Sequence, residues 1–374
     1  MTPCTTGTGA RDCFVLLVAI SLARVHCRDA APLVAQMRAC NATHATAMAF
    51  SRNAARHPHY EFSGMPGWYR DHWFAFDAKV LLVRLGKTGG GTLRSLFSTM
   101  NISLDMIHLH PTPLEAWVSH PLVLVSVRDP VARFISSFNF WRFEAEAKGT
   151  ALPTLLRCFN NSNQLIESVA LASSSAASSA SSLCLRHAHF LFQAVAGGDA
   201  QWRSIYPIDH LAKAGDSRAG VDIIEHEGMS LAGHLIQGIC FYLGGMIEHV
   251  QESPNGKSTF IIASETYEQD IAAALAWLES RGVAIPPGSF SLARVHETNH
   301  DASATSISDL ARGFLERQLT TEYRMLNLLM RRSVNKKAWA YCMRVARVEG
   351  IRTVQHSIGS QTETHATCLQ EWFS

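Results

Sequence analysis

The chain has 374 residues, of which 47% are hydrophobic and 17% are charged. This length and composition suit one large α/β domain with appendages better than two domains. The formal charge is +2 and the isoelectric point is near 8.1. These values are too low for a typical nucleic-acid-binding protein, whose binding domain usually has an isoelectric point above about 9. We therefore expect no nucleic-acid partner, and we expect any anionic ligand to be bound at a local site.

The N-terminus carries an apolar run from Cys13 to Ala23, preceded by Arg11. A membrane-spanning helix needs about 20 residues, so this shorter run is more typical of a signal peptide. Because Val25-His26-Cys27 is not a clean cleavage site, residues 1–27 are interpreted as either a signal peptide or an uncleaved signal anchor. Both alternatives predict entry into the secretory pathway.

Glycosylation and cysteine patterns agree with a secretory protein. Acceptor triplets begin at Asn41, Asn101 and Asn160. From Cys27 onward the cysteines contain no Cys-x-x-Cys pair, which argues against a zinc site and favours disulfides in an oxidising lumen. We predict one disulfide between Cys158 and Cys184, because these residues flank an Ala/Ser-rich tract that the bond would close off. Some of the other cysteines can equally be small buried hydrophobic residues.

Two strand-loop-helix units predict the core. Residues 28–77 show no sustained periodicity and are interpreted as a stem or N-terminal region. The apolar run 79–85 ends at a Gly-rich turn and is followed by helical spacing over 92–97. The run 122–127 and the helical stripe 131–143 repeat the pattern. Two such units imply a parallel sheet flanked by helices.

The rest of the chain predicts further core elements and two peripheral segments. The Ala/Ser tract, about 171–182, has little to bury and is interpreted as a flexible surface insertion. Residues 259–263 are predicted to form a buried strand, with a helix over 269–281 behind it. Residues 309–331 are predicted to form one long amphipathic helix, and 333–374 a basic C-terminal tail.

The glycine-rich segment after the first strand is a candidate anion site. Free backbone N–H groups and the helix dipole favour an anion where a strand hands over to a helix. Glycines allow close backbone approach, while the lysine and threonines add charge and donors. A Walker A loop is excluded, because it would need glycine where Leu81 stands. The alternative is a tight turn with an incidental lysine. The candidate residues are Lys87, Thr88, Gly89, Gly90, Gly91 and Thr92.

A second candidate binding group follows the second strand. Arg128 ends that strand, and Ser136 lies two helical turns into the next element, so both can reach the carboxyl edge of the sheet. A guanidinium and a hydroxyl suit a dianionic phosphate ester. The alternative is that Arg128 forms a surface salt bridge with Asp129 or Glu144.

These segments resemble the nucleotide-binding motifs of Golgi carbohydrate sulfotransferases. Residues 86–92 resemble the 5′-phosphosulfate loop, and residues 127–138 resemble the 3′-phosphate motif. The likeness is closest to heparan sulfate and uronyl 2-O-sulfotransferases, which carry a His-x-His between the two motifs, as His108-Leu109-His110 does here. Weaker similarity at three further segments extends the resemblance to roughly residues 79–330; these segments are 261–265, 297–299 and 322–323.

The resemblance implies a fold, a donor and a compartment. It implies a P-loop-like parallel sheet in a sulfotransferase domain over residues 78–332. The implied donor is 3′-phosphoadenosine 5′-phosphosulfate (PAPS), and the implied partner is a carbohydrate acceptor, with anionic polysaccharides among the candidates. No metal is required by this chemistry. The implied compartment is the Golgi lumen.

The resemblance also implies residue roles. Lys87 would stabilise charge on the leaving phosphate, and a histidine would remove the proton of the acceptor hydroxyl. His110 is the preferred base and His108 the alternative, because the second histidine of the pair is the better candidate in the resembling enzymes. The chain departs from the family at Gly86, where proline is usual, at Gly90-Gly91, which replace a more polar pair, and at Pro111.

Two rival functions stay open on the sequence. A P-loop kinase or NTPase would share the strand-loop-helix pattern. Its Walker A loop is incomplete here, and the only candidate Walker B carboxylate, Asp129, follows Arg128, whose charge is unwelcome beside Mg²⁺. A non-catalytic glycan- or nucleotide-binding protein with the same fold is the other rival.

Overall fold

A computed structural model describes eleven parts of the chain: residues 35–45, 48, 78–108, 111–147, 149, 154–174, 183–196, 234–235, 237–247, 258–287 and 306–335. The chain divides into a short N-terminal unit, residues 1–39, and a main unit, residues 40–374. Of the N-terminal unit only the helical residues 35–39 are described. The predicted leader, residues 1–27, and most of the predicted tail lie outside the described residues.

The elements of the main unit alternate between strands and helices. Helix α1 comprises residues 35–45, of which 40–45 lie in the main unit. The elements that follow are β1 (Val80–Arg84), α2 (Gly90–Thr99), β2 (Asp105–Ile107), α3 (Leu114–Ser119), β3 (Leu122–Val127), α4 (Pro130–Ala147), α5 (Thr154–Cys158), α6 (Ser162–Ser174), α7 (Leu183–Ala196), α8 (Ile239–Leu243), β4 (Ser258–Ala263), α9 (Tyr267–Ser280), α10 (Asp309–Gln318) and α11 (Thr320–Arg332).

The four described strands form one parallel sheet in the order β2-β1-β3-β4. This confirms the predicted α/β class with a parallel sheet. The chain passes from β1 to β2 on one side and then to β3 on the other, so the carboxyl ends of β1 and β3 flank a topological switch point. Arg84 is paired with Ser126 at these ends. In open α/β sheets, ligands bind in the crevice at such a point.

The strands form because their residues are apolar on both faces. Every residue of β3 and β4 is buried, as expected for a parallel sheet covered by helices on both sides. On one face, alternate strand residues pack against α2 and α9. The buried members of this cluster from β1, β3 and β4 are Val80, Leu82, Leu122, Leu124, Phe260 and Ile262, and those from the two helices include Leu93, Phe97, Ile271 and Leu278.

The residues after α11 cover the outer edge of β4. The Asn335 amide donates to the carbonyl of Ile261 and accepts from its N–H, at 2.8 and 3.1 Å. The N–H of Val334 donates to the carbonyl of Thr259. These bonds satisfy backbone groups that an open sheet edge would leave exposed. The first residues of the predicted C-terminal tail therefore belong to the domain.

The prediction of one helix over residues 309–331 is wrong. Two helices, α10 and α11, meet at Leu319, whose backbone angles of −95° and 13° leave the α region. Ser308 caps α10 by accepting from the N–H of Ala311. Most of the predicted apolar stripe is buried, including Phe314 and Tyr323. Leu310 is the exception, since it is 47% exposed.

Two disulfides join distant parts of the main unit. Cys158 and Cys184 are bonded, with their Cα atoms 5.6 Å apart, which confirms the predicted pair. Cys40 is bonded to Cys240 of α8, with the Cα atoms 4.8 Å apart. Cys40 is buried, so this part of the predicted stem region packs into the main unit. Disulfides of this kind are typical of a secretory-type protein.

The Ala/Ser tract is partly helical. Helix α6 continues to Ser174, so residues 171–174 are ordered as its last turn, while residues 175–182 lie outside the described residues. Among the helices that the structure describes, none is long and apolar enough to cross a bilayer.

Candidate anion-binding site

The loop between β1 and α2 lies at the switch point and has an unusual backbone. Lys87 has φ of 64° and Gly89 has φ of 75°, both in the left-handed region. Glycine adopts this region readily, whereas a lysine there stores strain of about 1–3 kcal/mol. Strained residues of this kind cluster at ligand sites. The loop therefore has the backbone expected of a binding loop.

The N-terminus of α2 opens onto this loop. The helix begins at Gly90, its N-terminal cap is Gly89, which has no side chain to accept from the first N–H groups, and its first turn contains no acidic residue. The first N–H groups of a helix have no acceptor within the helix, and its dipole adds partial positive charge. Gly90, Gly91 and Thr92 are thus placed where an anion would accept from their N–H groups.

The hydroxyl of Thr88 holds the loop in place. Thr88 is fully buried, and its hydroxyl donates to the carbonyl of Leu85 at 2.7 Å. It also lies 2.7 Å from the hydroxyl of Ser126 on β3, which can then donate to it. These bonds fasten the loop to the neighbouring strand. The group that Thr88 can offer a ligand is accordingly its backbone N–H.

The two predicted motifs are linked through Lys87. Nη1 of Arg128 donates to the carbonyl of Lys87 at 3.3 Å. The ammonium nitrogen of Lys87 lies 3.6 Å from the centroid of the Phe140 ring on α4. A cation over an aromatic face is stabilised by about 0.5–2 kcal/mol. The predicted 5′-phosphosulfate loop and the predicted 3′-phosphate motif are therefore neighbours in space.

Buried Asp129 fixes the backbone beside Arg128. Its Oδ1 accepts from the N–H of Ala132 at 2.9 Å, which caps the start of α4. Its Oδ2 accepts from the Tyr323 hydroxyl at 2.9 Å, and its own N–H donates to Glu265 at 2.8 Å. Both carboxylate oxygens thus have structural partners.

The role of Ser136 as a phosphate contact remains a prediction. It is partly exposed on α4. The hydroxyl of its neighbour Ser137 is buried and shares its one hydrogen between the carbonyls of Arg133 and His234, at 2.8 and 3.1 Å. Of the two serines, Ser136 is therefore the one whose hydroxyl is not used by these structural bonds.

His108 follows β2 and has a defined ring orientation. It is 9% exposed, and its Nδ1 lies 3.2 Å from the carbonyl oxygen of Arg84. A carbonyl only accepts, so Nδ1 carries the hydrogen and Nε2 is the basic nitrogen of the neutral ring. His110, the preferred base, lies outside the described residues together with Leu109.

His234 is a member of the site that the sequence analysis did not single out. Its carbonyl accepts from Nη1 of Arg133 at 2.7 Å, so its backbone is anchored on α4. Its ring stacks against His108 with 5.4 Å between centroids, and the Phe140 centroid is 6.2 Å away. Gly86, which stands where the resembling sulfotransferases usually have proline, was a signal, because a Cβ at this position would overlap the His234 ring.

The environment keeps the His234 imidazole neutral. Burial, together with the positive charges of Lys87, Arg84 and Arg133, lowers its pKa to about 3. Its Nδ1 is buried and has no hydrogen-bond partner in the described part of the chain. A neutral ring with an unpaired polar atom, near three cationic side chains, suits an anionic ligand.

Tyr267 is another site residue that the sequence analysis missed. This first residue of α9 donates from its hydroxyl to the carbonyl of Gly89 at 2.5 Å. A Cβ on Gly89 would lie 2.9 Å from the tyrosine ring, so glycine is required there for space as well as for φ. Burial raises the pKa of Tyr267, which keeps its hydroxyl protonated.

Comparisons with known proteins do not extend these conclusions. No family model, curated protein or solved structure matches this chain. Among the described residues, no group of His, Cys, Asp or Glu side chains is arranged to hold a metal ion. The fold and the site define the class as an α/β protein with a parallel sheet and a candidate anion-binding loop at its switch point.

Proposed function

We propose that this protein transfers a sulfuryl group from PAPS to a hydroxyl of a carbohydrate. The observation that carries the proposal is the 3.3 Å hydrogen bond from Arg128 to the carbonyl of Lys87. It joins the two segments that resemble the 5′- and 3′-binding motifs of Golgi carbohydrate sulfotransferases. Both groups belong to one nucleotide, so the segments that bind them must be neighbours.

The residues at the loop fit such a donor. Backbone N–H groups at the start of α2 and the ammonium of Lys87 would hold the 5′-phosphosulfate. The guanidinium of Arg128, with the hydroxyl of Ser136, would hold the 3′-phosphate. The unpartnered Nδ1 of His234 beside three cationic side chains also favours an oxyanion as the ligand.

The reaction requires charge stabilisation at the leaving group and a base at the acceptor. The bond from sulfur to the 5′-phosphate oxygen breaks, and a bond from sulfur to the acceptor oxygen forms. The acceptor proton passes to a histidine nitrogen, leaving a sulfate ester and adenosine 3′,5′-bisphosphate. Lys87 stabilises the charge that grows on the leaving phosphate. A neutral imidazole titrates near working pH and suits the base.

The base is assigned to the His108–His110 pair. The resemblance favours His110. The described geometry concerns His108, whose Nδ1–H···O bond to Arg84 makes Nε2 the basic nitrogen. A base held in this way is oriented before the acceptor arrives, which lowers the entropic part of the barrier.

One observation favours this function over a kinase or NTPase. A Walker B aspartate would direct its carboxylate towards Mg²⁺ or its water ligands. Both carboxylate oxygens of Asp129 instead accept from Ala132 and Tyr323. The arrangement is better suited to fixing the backbone beside Arg128.

The Golgi lumen is the compartment that this function implies. The two disulfides fit an oxidising compartment. Asn101 and Asn160, which begin two of the glycosylation triplets, are exposed. Acceptor glycans are assembled in the same compartment, and an anionic polysaccharide is one candidate.

The decisive experiment is transfer from labelled PAPS. The full chain would be incubated with a panel of desulfated glycosaminoglycans and simpler glycans, and the products mapped as disaccharides. Transfer that is lost in Lys87→Ala and retained in Lys79→Ala supports the proposal, because Lys79 contacts the carbonyl of Arg281 and not the loop. Binding of PAPS without transfer to any acceptor would instead identify a binding protein, and ATP hydrolysis without PAPS binding would identify an NTPase.

A further inference from the structure

The His234 ring contacts both the candidate donor loop and His108. A Cβ on Gly86 would overlap its Nδ1 and Cε1 atoms, so the ring packs directly on the loop backbone. The ring also stacks against His108, with 5.4 Å between the ring centroids. His234 is therefore a neighbour of both the loop that would hold the leaving phosphate and a histidine that is a candidate for the acceptor proton.

The position of His234 is firmly held. Its carbonyl accepts from Arg133 at 2.7 Å and from Ser137 at 3.1 Å, both buried on α4. The residue is only 7% exposed, yet Nδ1 has no hydrogen-bond partner among the described residues. Buried polar atoms in native proteins are nearly always paired, so an unpaired one that is held in place calls for an explanation. A ligand oxygen would supply the missing partner.

We propose that His234 is a further catalytic residue, which donates its Nδ1 hydrogen to an oxygen of the sulfuryl group in transit. This inference rests on the proposed function. During transfer the charge on the sulfuryl oxygens must be stabilised in place, and a preorganised donor does this without reorganisation. His234 gains and loses no proton in the reaction, because the acceptor proton passes to the His108–His110 pair.

A pair of substitutions separates the hydrogen bond from the packing. His234→Phe keeps a ring that can stack on His108 but removes the donor, whereas His234→Asn removes the ring and keeps an N–H donor near the position of Nδ1. We expect His234→Phe to lower kcat about 100-fold. We expect His234→Asn to retain clearly more turnover than His234→Phe, although it packs less well.

Binding of the product nucleotide shows where the contact is made. Adenosine 3′,5′-bisphosphate lacks the sulfuryl group, so its Kd should be the same for wild type and His234→Phe. Wild-type turnover in His234→Phe would overturn the inference. A loss of product-nucleotide affinity in His234→Phe as large as its loss in kcat would also overturn the inference. Such a result would mean that the ring only maintains the conformation of the loop.

A double-mutant cycle with Gly86 tests the same contact independently. Gly86→Ala should displace the ring and lower kcat in the wild-type background. In a His234→Ala background the added methyl group meets no ring, so it should lower kcat little further. Strong coupling supports the inference, and additive losses contradict it.

A probe other than the nucleotide distinguishes failure of this inference from failure of the proposed function. If the wild-type chain binds neither PAPS nor the product nucleotide, the proposed function is wrong. The His234 contact is then tested with inorganic sulfate, measured as the rise in Tm that the ion causes. A rise that is lost in His234→Phe keeps His234 as an oxyanion contact, and equal rises in both proteins exclude it.

Discussion

The hydroxyl of Tyr323 donates a hydrogen bond to Oδ2 of buried Asp129 at 2.9 Å, although the two residues lie 194 positions apart in the sequence. The bond ties α11 to the start of α4, directly beside Arg128. Together with the bond from the Asp129 N–H to Glu265, it brings three segments of the sulfotransferase resemblance to one place. A hydrogen bond to a buried carboxylate contributes more to stability than one between neutral groups.

We expect Tyr323→Phe to lower the free energy of unfolding by about 1–3 kcal/mol, because it leaves a buried carboxylate oxygen without this donor. Urea unfolding measures the change. Tyr242→Phe is the matched control, since Tyr242 is equally buried but its hydroxyl donates to the neutral amide oxygen of Gln237 at 3.4 Å. The control should lose less, and equal losses would contradict the assigned strength of the Asp129 bond.

Lys87→Ala and Arg128→Ala should affect different steps of the proposed reaction. Loss of the Lys87 ammonium should lower kcat about 100-fold, because its interaction with the 5′-phosphate would strengthen as charge grows on the leaving group. Loss of the Arg128 guanidinium should raise the Kd of the nucleotide about 10- to 100-fold. Steady-state kinetics and calorimetry measure the two effects. Unchanged turnover in Lys87→Ala would refute its proposed role.

The two histidines of the pair can be separated by single substitutions. If His110 is the base, His110→Ala should lower kcat about 10²- to 10⁴-fold and leave nucleotide affinity nearly intact. His108→Ala should then have a smaller effect. Kinetics at saturating PAPS, with the acceptor concentration varied, make the distinction. A larger loss of kcat in His108→Ala than in His110→Ala would assign the base to His108. A raised KM for the acceptor with normal kcat in both variants would mean that the two histidines only bind the acceptor.

The two disulfides should differ in their contribution to stability. Cys40–Cys240 closes a sequence separation of 200 residues and Cys158–Cys184 one of 26. Loop-closure entropy predicts losses of about 5 and about 3.5 kcal/mol, respectively, when each pair is replaced by serines. Unfolding of the two double variants in urea tests this order. Peptide mapping that found Cys158 and Cys184 as free thiols would show that the second disulfide does not form.

Stability should fall in mild acid because two histidines are buried in neutral form. Burial lowers the pKa of His44 to about 4 and that of His234 to about 3, from 6.5. Below pH 6.5 the unfolded chain takes up these protons and the folded chain does not. The free energy of unfolding should therefore decrease as pH falls from 6.5 towards 4, by up to about 1.4 kcal/mol per pH unit for each histidine. Above pH 6.5 the contribution is constant.

His44→Gln isolates one of these contributions. Nε2 of His44 lies 3.1 Å from the carbonyl of Thr112 and donates to it, and a glutamine amide can replace that donor without titrating. The difference in unfolding free energy between wild type and variant should shrink between pH 7.5 and 5. A difference that is independent of pH would show that the pKa of His44 is the same in the folded and unfolded chain, contrary to the expected decrease on folding.

Elements with local patterns could be predicted from the sequence. The strands at 122–127 and 259–263 were predicted within one residue of their observed bounds. A short, continuous apolar run bounded by turns is typical of a buried parallel strand. The glycine-rich loop and the Cys158–Cys184 pair were also recognised from short segments. The break at Leu319 was not predicted, because the apolar stripe of residues 309–331 continues through it.

The strand order and the surroundings of the loop could not be predicted from the sequence and are known from the assembled fold. His234 packs against Gly86 and Tyr267 against Gly89, although each pair is separated by more than a hundred positions in the sequence. Cys40 is bonded to Cys240, which lies 200 positions away. Helical and strand periodicities describe contacts within one element, so they carry no information about which distant side chain fills the space above a glycine. That choice depends on how the whole sheet and its helices pack, because shape, burial and charge are satisfied only in the assembled fold.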